Sequence, residues 1–122
     1  DFLGERYVDL GRLDDASAAF AHAAGLTPSP RILRQWATVE EMRGRPKKAR
    51  DVLRDLLQRK SDEPRAWSDL VRLSIVLGDT AGARRDAEAA LRVMPGAQGP
   101  RRFLDWLARA PRVPAPAESL GR

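Results

Sequence analysis

The stretch Leu33-Arg34-Gln35-Trp36-Ala37-Thr38-Val39-Glu40-Glu41-Met42-Arg43-Gly44-Arg45-Pro46-Lys47-Lys48-Ala49-Arg50 decides the fold. An apolar-periodic run ends at a glycine, a proline follows two residues later, and a small residue stands five positions past the glycine. The glycine reads as a helix C-terminus, because Gly takes the left-handed cap conformation at little cost, and Pro46 suits the first turn of the next helix. The same frame recurs. Gly11, Gly44 and Gly78 lie 33 and 34 residues apart, with Ala16, Ala49 and Ala83 five positions on. Leu3, Trp36 and Leu70 precede the glycines by eight residues, and Phe20, Leu53 and Ala87 follow by nine. Self-similarity at this period is the mark of a stacked repeat.

Read outward from the glycines, the pattern predicts helices at about 1–10, 14–25, 31–43, 46–60, 65–77, 80–93 and 100–110. Asp14-Asp15, Pro46 and Asp79-Thr80 mark the starts of the second helices, and the alanines mark close helix–helix contact. Composition agrees. The 122 residues are 43% hydrophobic and 32% charged, enough for a core, and 19 Ala with no Asn favour helix over sheet. The expected architecture is all-α: three hairpins at about 1–29, 30–63 and 64–97, with one extra helix at about 100–110, which the resemblance described below implies is a closing helix. Residues 111–122, with Pro111, Pro114 and Pro116, read as a Pro-rich flexible tail or linker outside a repeat domain at 1–110.

These landmarks resemble the tetratricopeptide repeat family. In the first unit the matching residues are Leu3-Gly4, Tyr7, Gly11, Ala16, Phe20, Ala23 and Pro28; in the third they are Trp67, Leu70, Gly78, Ala83, Ala90 and Pro95. The resemblance covers about residues 1–95 and implies a right-handed α-α superhelix whose first helices line a concave binding groove. The first unit lacks its opening residues, so the register expects either further repeats before Asp1 or a trimmed first hairpin. The middle unit departs from the pattern at Ala37, Glu40 and Ser61. Its Leu33, Trp36-Ala37, Glu40, Gly44 and Ala49-Arg50 are similar to the half-a-tetratricopeptide variant, which implies RNA-processing complexes. The family's carboxylate clamp for chaperone tails is not reproduced: Asp1, Glu5 and Asp69 replace its Lys, Asn and Arg, and only Gln35 and Arg65 are compatible.

Chemistry is sparse. There is no Cys, which excludes thiolate zinc sites, disulfides and cysteine nucleophiles, and the single His22 cannot complete a zinc site alone. No glycine-rich turn has a Walker or dinucleotide fingerprint. The expectation is a non-catalytic protein with no cofactor and no metal. No apolar run approaches the length of a membrane span, so the expectation is no membrane insertion; no basic, apolar leader opens the sequence, and the compartment is left open with an intracellular one favoured.

Two surfaces are candidates for binding. On the first helices of the hairpins Arg34, Thr38, Glu41 or Met42 recur at helical spacing, then Arg65, Ser68, Arg72, Ile75 or Val76, with Arg31 and Arg102 extending the stripe. This predicts a basic, partly apolar groove at Arg31, Arg34, Arg65, Arg72, Arg102, Met42 and Ile75, suited to an acidic peptide or protein partner. The second is a basic edge, Arg43, Arg45, Lys47, Lys48 and Arg50, continued by Arg84-Arg85. With the net charge of +5, it makes RNA the alternative partner. Asp14-Asp15 read as favourable charges at a helix N-terminus. Glu40 is expected to meet Arg50, because a buried carboxylate needs a partner. Trp36, Trp67 and, with Phe103 and Leu107, Trp106 are read as core rather than stacking platforms.

Overall fold

A computed structural model describes residues 2–109, which form seven helices: α1 (Phe2–Asp9), α2 (Leu13–Leu26), α3 (Pro30–Met42), α4 (Pro46–Arg59), α5 (Pro64–Val76), α6 (Thr80–Val93) and α7 (Gln98–Arg109). Asp1, Ala110 and the Pro-rich segment 111–122 lie outside the described residues. Helices α1 and α2, α3 and α4, and α5 and α6 pair as hairpins, each packed on the next, and α7 closes the stack against α6 and α5. The result is an α-α superhelix with two layers, one of α1, α3, α5 and α7, termed the inner layer from the resemblance, and one of α2, α4 and α6, termed the outer.

Local chemistry sets the punctuation. Gly11, Gly44 and Gly78 have φ of 73°, 77° and 76°, and each closes its helix by donating to a carbonyl three residues back. Proline opens α3, α4 and α5, where a missing N–H costs nothing. Ser29 caps α3 by accepting from the Ile32 amide at 3.2 Å, and Asp79 caps α6 by accepting from the Gly82 amide at 2.8 Å. The predicted helix boundaries lie within two residues of the observed ones, and those of α6 coincide with them.

Ala16, Ala49 and Ala83 are fully buried, which lets each outer helix approach its partner closely. Gly4 does the same on α1: a Cβ there would lie 2.6 Å from the Phe20 ring. The main core lies in the middle of the stack, where Leu33, Leu53, Leu56, Trp67, Leu70 and Leu73 interlock from α3, α4 and α5. The ends are thinner. Ala16, Phe20 and Val39 form a small cluster with Tyr7 and Val8, and Val71, Ala83 and Ala87 form another with Phe103 and Leu104 of α7.

One core expectation is corrected here. Trp106 is 57% exposed, its ring 6.1 Å from that of Phe103, because Phe103 and Leu104 make the packing face of α7 and no described helix lies beyond it. Trp67 is buried and donates from Nε1 to the Ser61 carbonyl at 2.6 Å; Trp36 is half-buried between two clusters.

Candidate functional site: the inner face

Side chains of the inner helices reach one another directly. Glu5 of α1 accepts from Arg31 Nη2 at 2.8 Å and from Gln35 Nε2 at 2.9 Å, both on α3. Arg72 of α5 grips Glu41 of α3 in a two-pronged pair, with Nη2 on Oε1 at 3.0 Å, and a second carboxylate, Asp69, stands 3.4 Å from it. The Gln35 hydrogen bond, joined by Arg31, holds the Glu5 carboxyl below the usual range, and the Arg72 hydrogen bonds do so for Glu41 while raising Arg72.

Of the predicted groove residues, the structure thus gives Arg31 and Arg72 carboxylate partners within the chain. Arg102 is exposed and donates to Gln98 Oε1 at 3.0 Å. Arg34 is half-buried, its Nε without a hydrogen-bond partner among the described residues. Arg65 is exposed and meets no carboxylate among the described residues, for a reason visible in the repeat. It is the register counterpart of Arg31, but Thr38 stands on α3 where Glu5 stands on α1.

The inner face also carries apolar hollows. One of about 300 Å³ lies between α1 and α3, lined by Glu5, Val8 and Asp9 on one side and Thr38, Val39 and Met42 on the other. Another, of about 240 Å³, lies between α5 and α7, lined by Ser68, Val71, Arg72, Ile75, Val76 and Pro100. Met42 and Ile75 are both about half exposed, at 52% and 48%. Sequence reading found Met42 and Ile75 but missed Val8, Glu5 and the Glu41–Arg72 link. The signal was present: Val8, Glu41 and Ile75 hold one register position, three before the glycine.

The basic edge is smaller than its sequence suggests. Glu40 is 2% exposed and takes Ser17 Oγ, Trp36 Nε1 at 3.1 Å and Arg43 Nη1 at 3.1 Å. Arg43 also donates to Asp14 at 3.0 Å. The expected Glu40–Arg50 pair is therefore not formed: Arg50 faces the next hairpin, donating to Asp79 at 3.0 Å and Ser74 at 3.4 Å. Arg43 and Arg50 are consumed by these networks, leaving Arg45, Lys47 and Lys48 exposed, with Lys48 Nζ 5.1 Å over the Trp36 ring. His22 is exposed on α2. Among the described residues, no group of three or more His, Cys, Asp or Glu is arranged to hold a metal ion, and no helix is long and apolar enough to cross a membrane.

Residues 30–73 match the tetratricopeptide repeat family model. The fold is similar to that of a tetratricopeptide repeat protein from Parabacteroides merdae, with TM-score 0.70 and 21% identity over 86% of this chain and 43% of the other. It is also similar to MamA, with TM-score 0.69 and 20% identity over 88% and 64%. A third match is the Sgt2 TPR domain from Aspergillus fumigatus, with TM-score 0.66 and 18% identity over 92% and 81%. No curated protein matches the sequence. The chain has the all-helical repeat fold of these structures, and residues 30–73 carry the tetratricopeptide repeat match. It spans less than two-thirds of the length of the first two structures it resembles.

Proposed function

We propose that this chain is a non-catalytic scaffold that binds a protein partner through its inner face, within a larger assembly, and that the bound element is an acidic segment with apolar side chains. The observation that carries the reading is the combination of two open apolar hollows with an exposed Arg65 that has no carboxylate partner among the described residues. Guanidinium groups in such a position favour carboxylates, while the hollows supply the non-directional part of the affinity. Partner identity is set by the side chains on the scaffold rather than by the scaffold itself.

The test is selection of a displayed random dodecapeptide library on the full chain, followed by binding of the enriched peptides to Arg65→Glu and Ile75→Asp variants. Enrichment of acidic, apolar sequences whose binding both variants abolish supports the reading. Binding that neither variant changes overturns it.

A second reading, RNA association as in the half-a-tetratricopeptide variant, is favoured by exposed Arg45 on the α3–α4 turn and exposed Lys47 and Lys48 in the first turn of α4. Fluorescence anisotropy with single-stranded RNA would then show a salt slope that falls by about 2 when these three charges are reversed. An unchanged slope removes that edge from consideration.

A further inference from the structure

The two apolar hollows are not neighbours. One lies between α1 and α3, the other between α5 and α7, and the intervening α3–α5 space is bridged by the two-pronged Glu41–Arg72 pair. An amphipathic helix needs a continuous apolar trough for anchors spaced three and four residues apart, and this face interrupts the trough with an ion pair. An extended segment dips alternate side chains into separate hollows instead. Inner-layer helices packed at about 10 Å put the hollows two helix spacings, roughly 20 Å, apart, which is about six residues of extended chain.

Charge along the face is graded. Glu5 and Asp9 line the first hollow and no cation does, so an acidic side chain gains no partner there. Between the hollows the balance is different, because Thr38 replaces the carboxylate that Arg65 would meet if the third unit repeated the Glu5–Arg31 pairing. Glu41 and Asp69 are already engaged by Arg72. A ligand carboxylate would complete at Arg65 the pair that the α1–α3 pairing makes within the chain.

We infer that the inner face selects an extended peptide with two apolar anchors about six residues apart and a side-chain carboxylate between them. The anchors seat against Met42 and Ile75, and the carboxylate meets Arg65. This rests on the inner-face reading above and adds a spacing and a charge position to it.

The probe is a series of fluorescein-labelled peptides in a Gly/Ser background, each with two leucines three to nine residues apart and one central Asp or Asn. On the full chain, affinity should peak at a spacing near six, roughly tenfold above a spacing of three, since the second leucine then gains its own hollow. Met42→Ser or Ile75→Ser should each flatten the spacing profile, and Arg65→Ala should erase the preference for Asp over Asn while the profile keeps its peak. Circular dichroism confirms that each variant is folded. Spacing-independent binding that Arg65→Glu still abolishes overturns the two-anchor inference and leaves the inner-face reading standing. Absence of binding for every peptide, or binding that no inner-face variant alters, overturns both.

Discussion

The two junctions between hairpins use the same register positions with the chemistry exchanged. At the first, Ser17 of α2 meets Glu40 of α3; at the second, Arg50 of α4 meets Ser74 of α5. Each pair joins the residue six after one glycine to the residue four before the next. The first junction buries a carboxylate and neutralises it with Arg43 from the end of its own helix. The second places a guanidinium there and neutralises it with Asp79, while Ser74 donates to Asp86 at 2.9 Å. A repeat thus fixes where a polar residue is buried, while the sign of the charge is free as long as a counter-charge stands within reach. The first junction is also the more closed of the two: its carboxylate side chain is 2% exposed, whereas Asp79 is 35% exposed.

That difference orders the expected effects. Arg43→Met leaves the buried Glu40 with neutral donors only and should destabilise by about 3 kcal/mol in urea unfolding. Adding Glu40→Leu should recover much of that loss, because the uncompensated charge disappears. Gly4→Ala sharpens the picture of the same end of the stack. Its methyl group meets the Phe20 ring of the thin first cluster, and a cost of about 2 kcal/mol is expected from thermal melts. Arg50→Met should cost only about 1 kcal/mol, since water reaches Asp79 and Ser74 keeps Asp86. Equal losses for Arg43→Met and Arg50→Met would break the comparison.

The smallest effect is in acid. The Asp79 carboxyl is held below its ordinary value, first by the Gly82 amide and then by Arg50; Glu5 and Glu41 are lowered by Gln35 and Arg72. A lowered folded-state pKa means stability that is present above the unfolded value of about 4 and lost as pH falls through the folded value below it. The melting temperature should therefore be flat from neutral pH toward 5 and decline beneath about 4. Asp79→Asn should make that decline shallower; an unaltered profile would show that the cap carries no acid linkage.

Much of the architecture was legible because its signals are local. A glycine at positive φ, a proline at a first turn and an alanine at a helix contact each act within a few residues, so all seven helices could be placed. What escaped were long-range choices. Whether Arg43 or Arg50 reaches Glu40 depends on which way each hairpin turns its face, and periodicity does not encode that. Trp106 shows the same gap, since an amphipathic pattern marks an apolar face without saying whether another helix covers it. At the inner face the arginines were legible as a stripe, but their partners were not. Glu5 and Glu41 take up Arg31 and Arg72, so the surface is less basic and more pocketed than composition implies.

The measurement that tests the central claim most directly is a two-dimensional NMR titration of the isotope-labelled full chain with the acidic, six-spaced two-leucine peptide. The account predicts saturable shifts concentrated at Val8, Thr38, Met42, Ser68, Ile75 and Val76, with the outer helices unmoved. Shifts confined to Arg45, Lys47 and Lys48, or to the Trp106 face of α7, would contradict it.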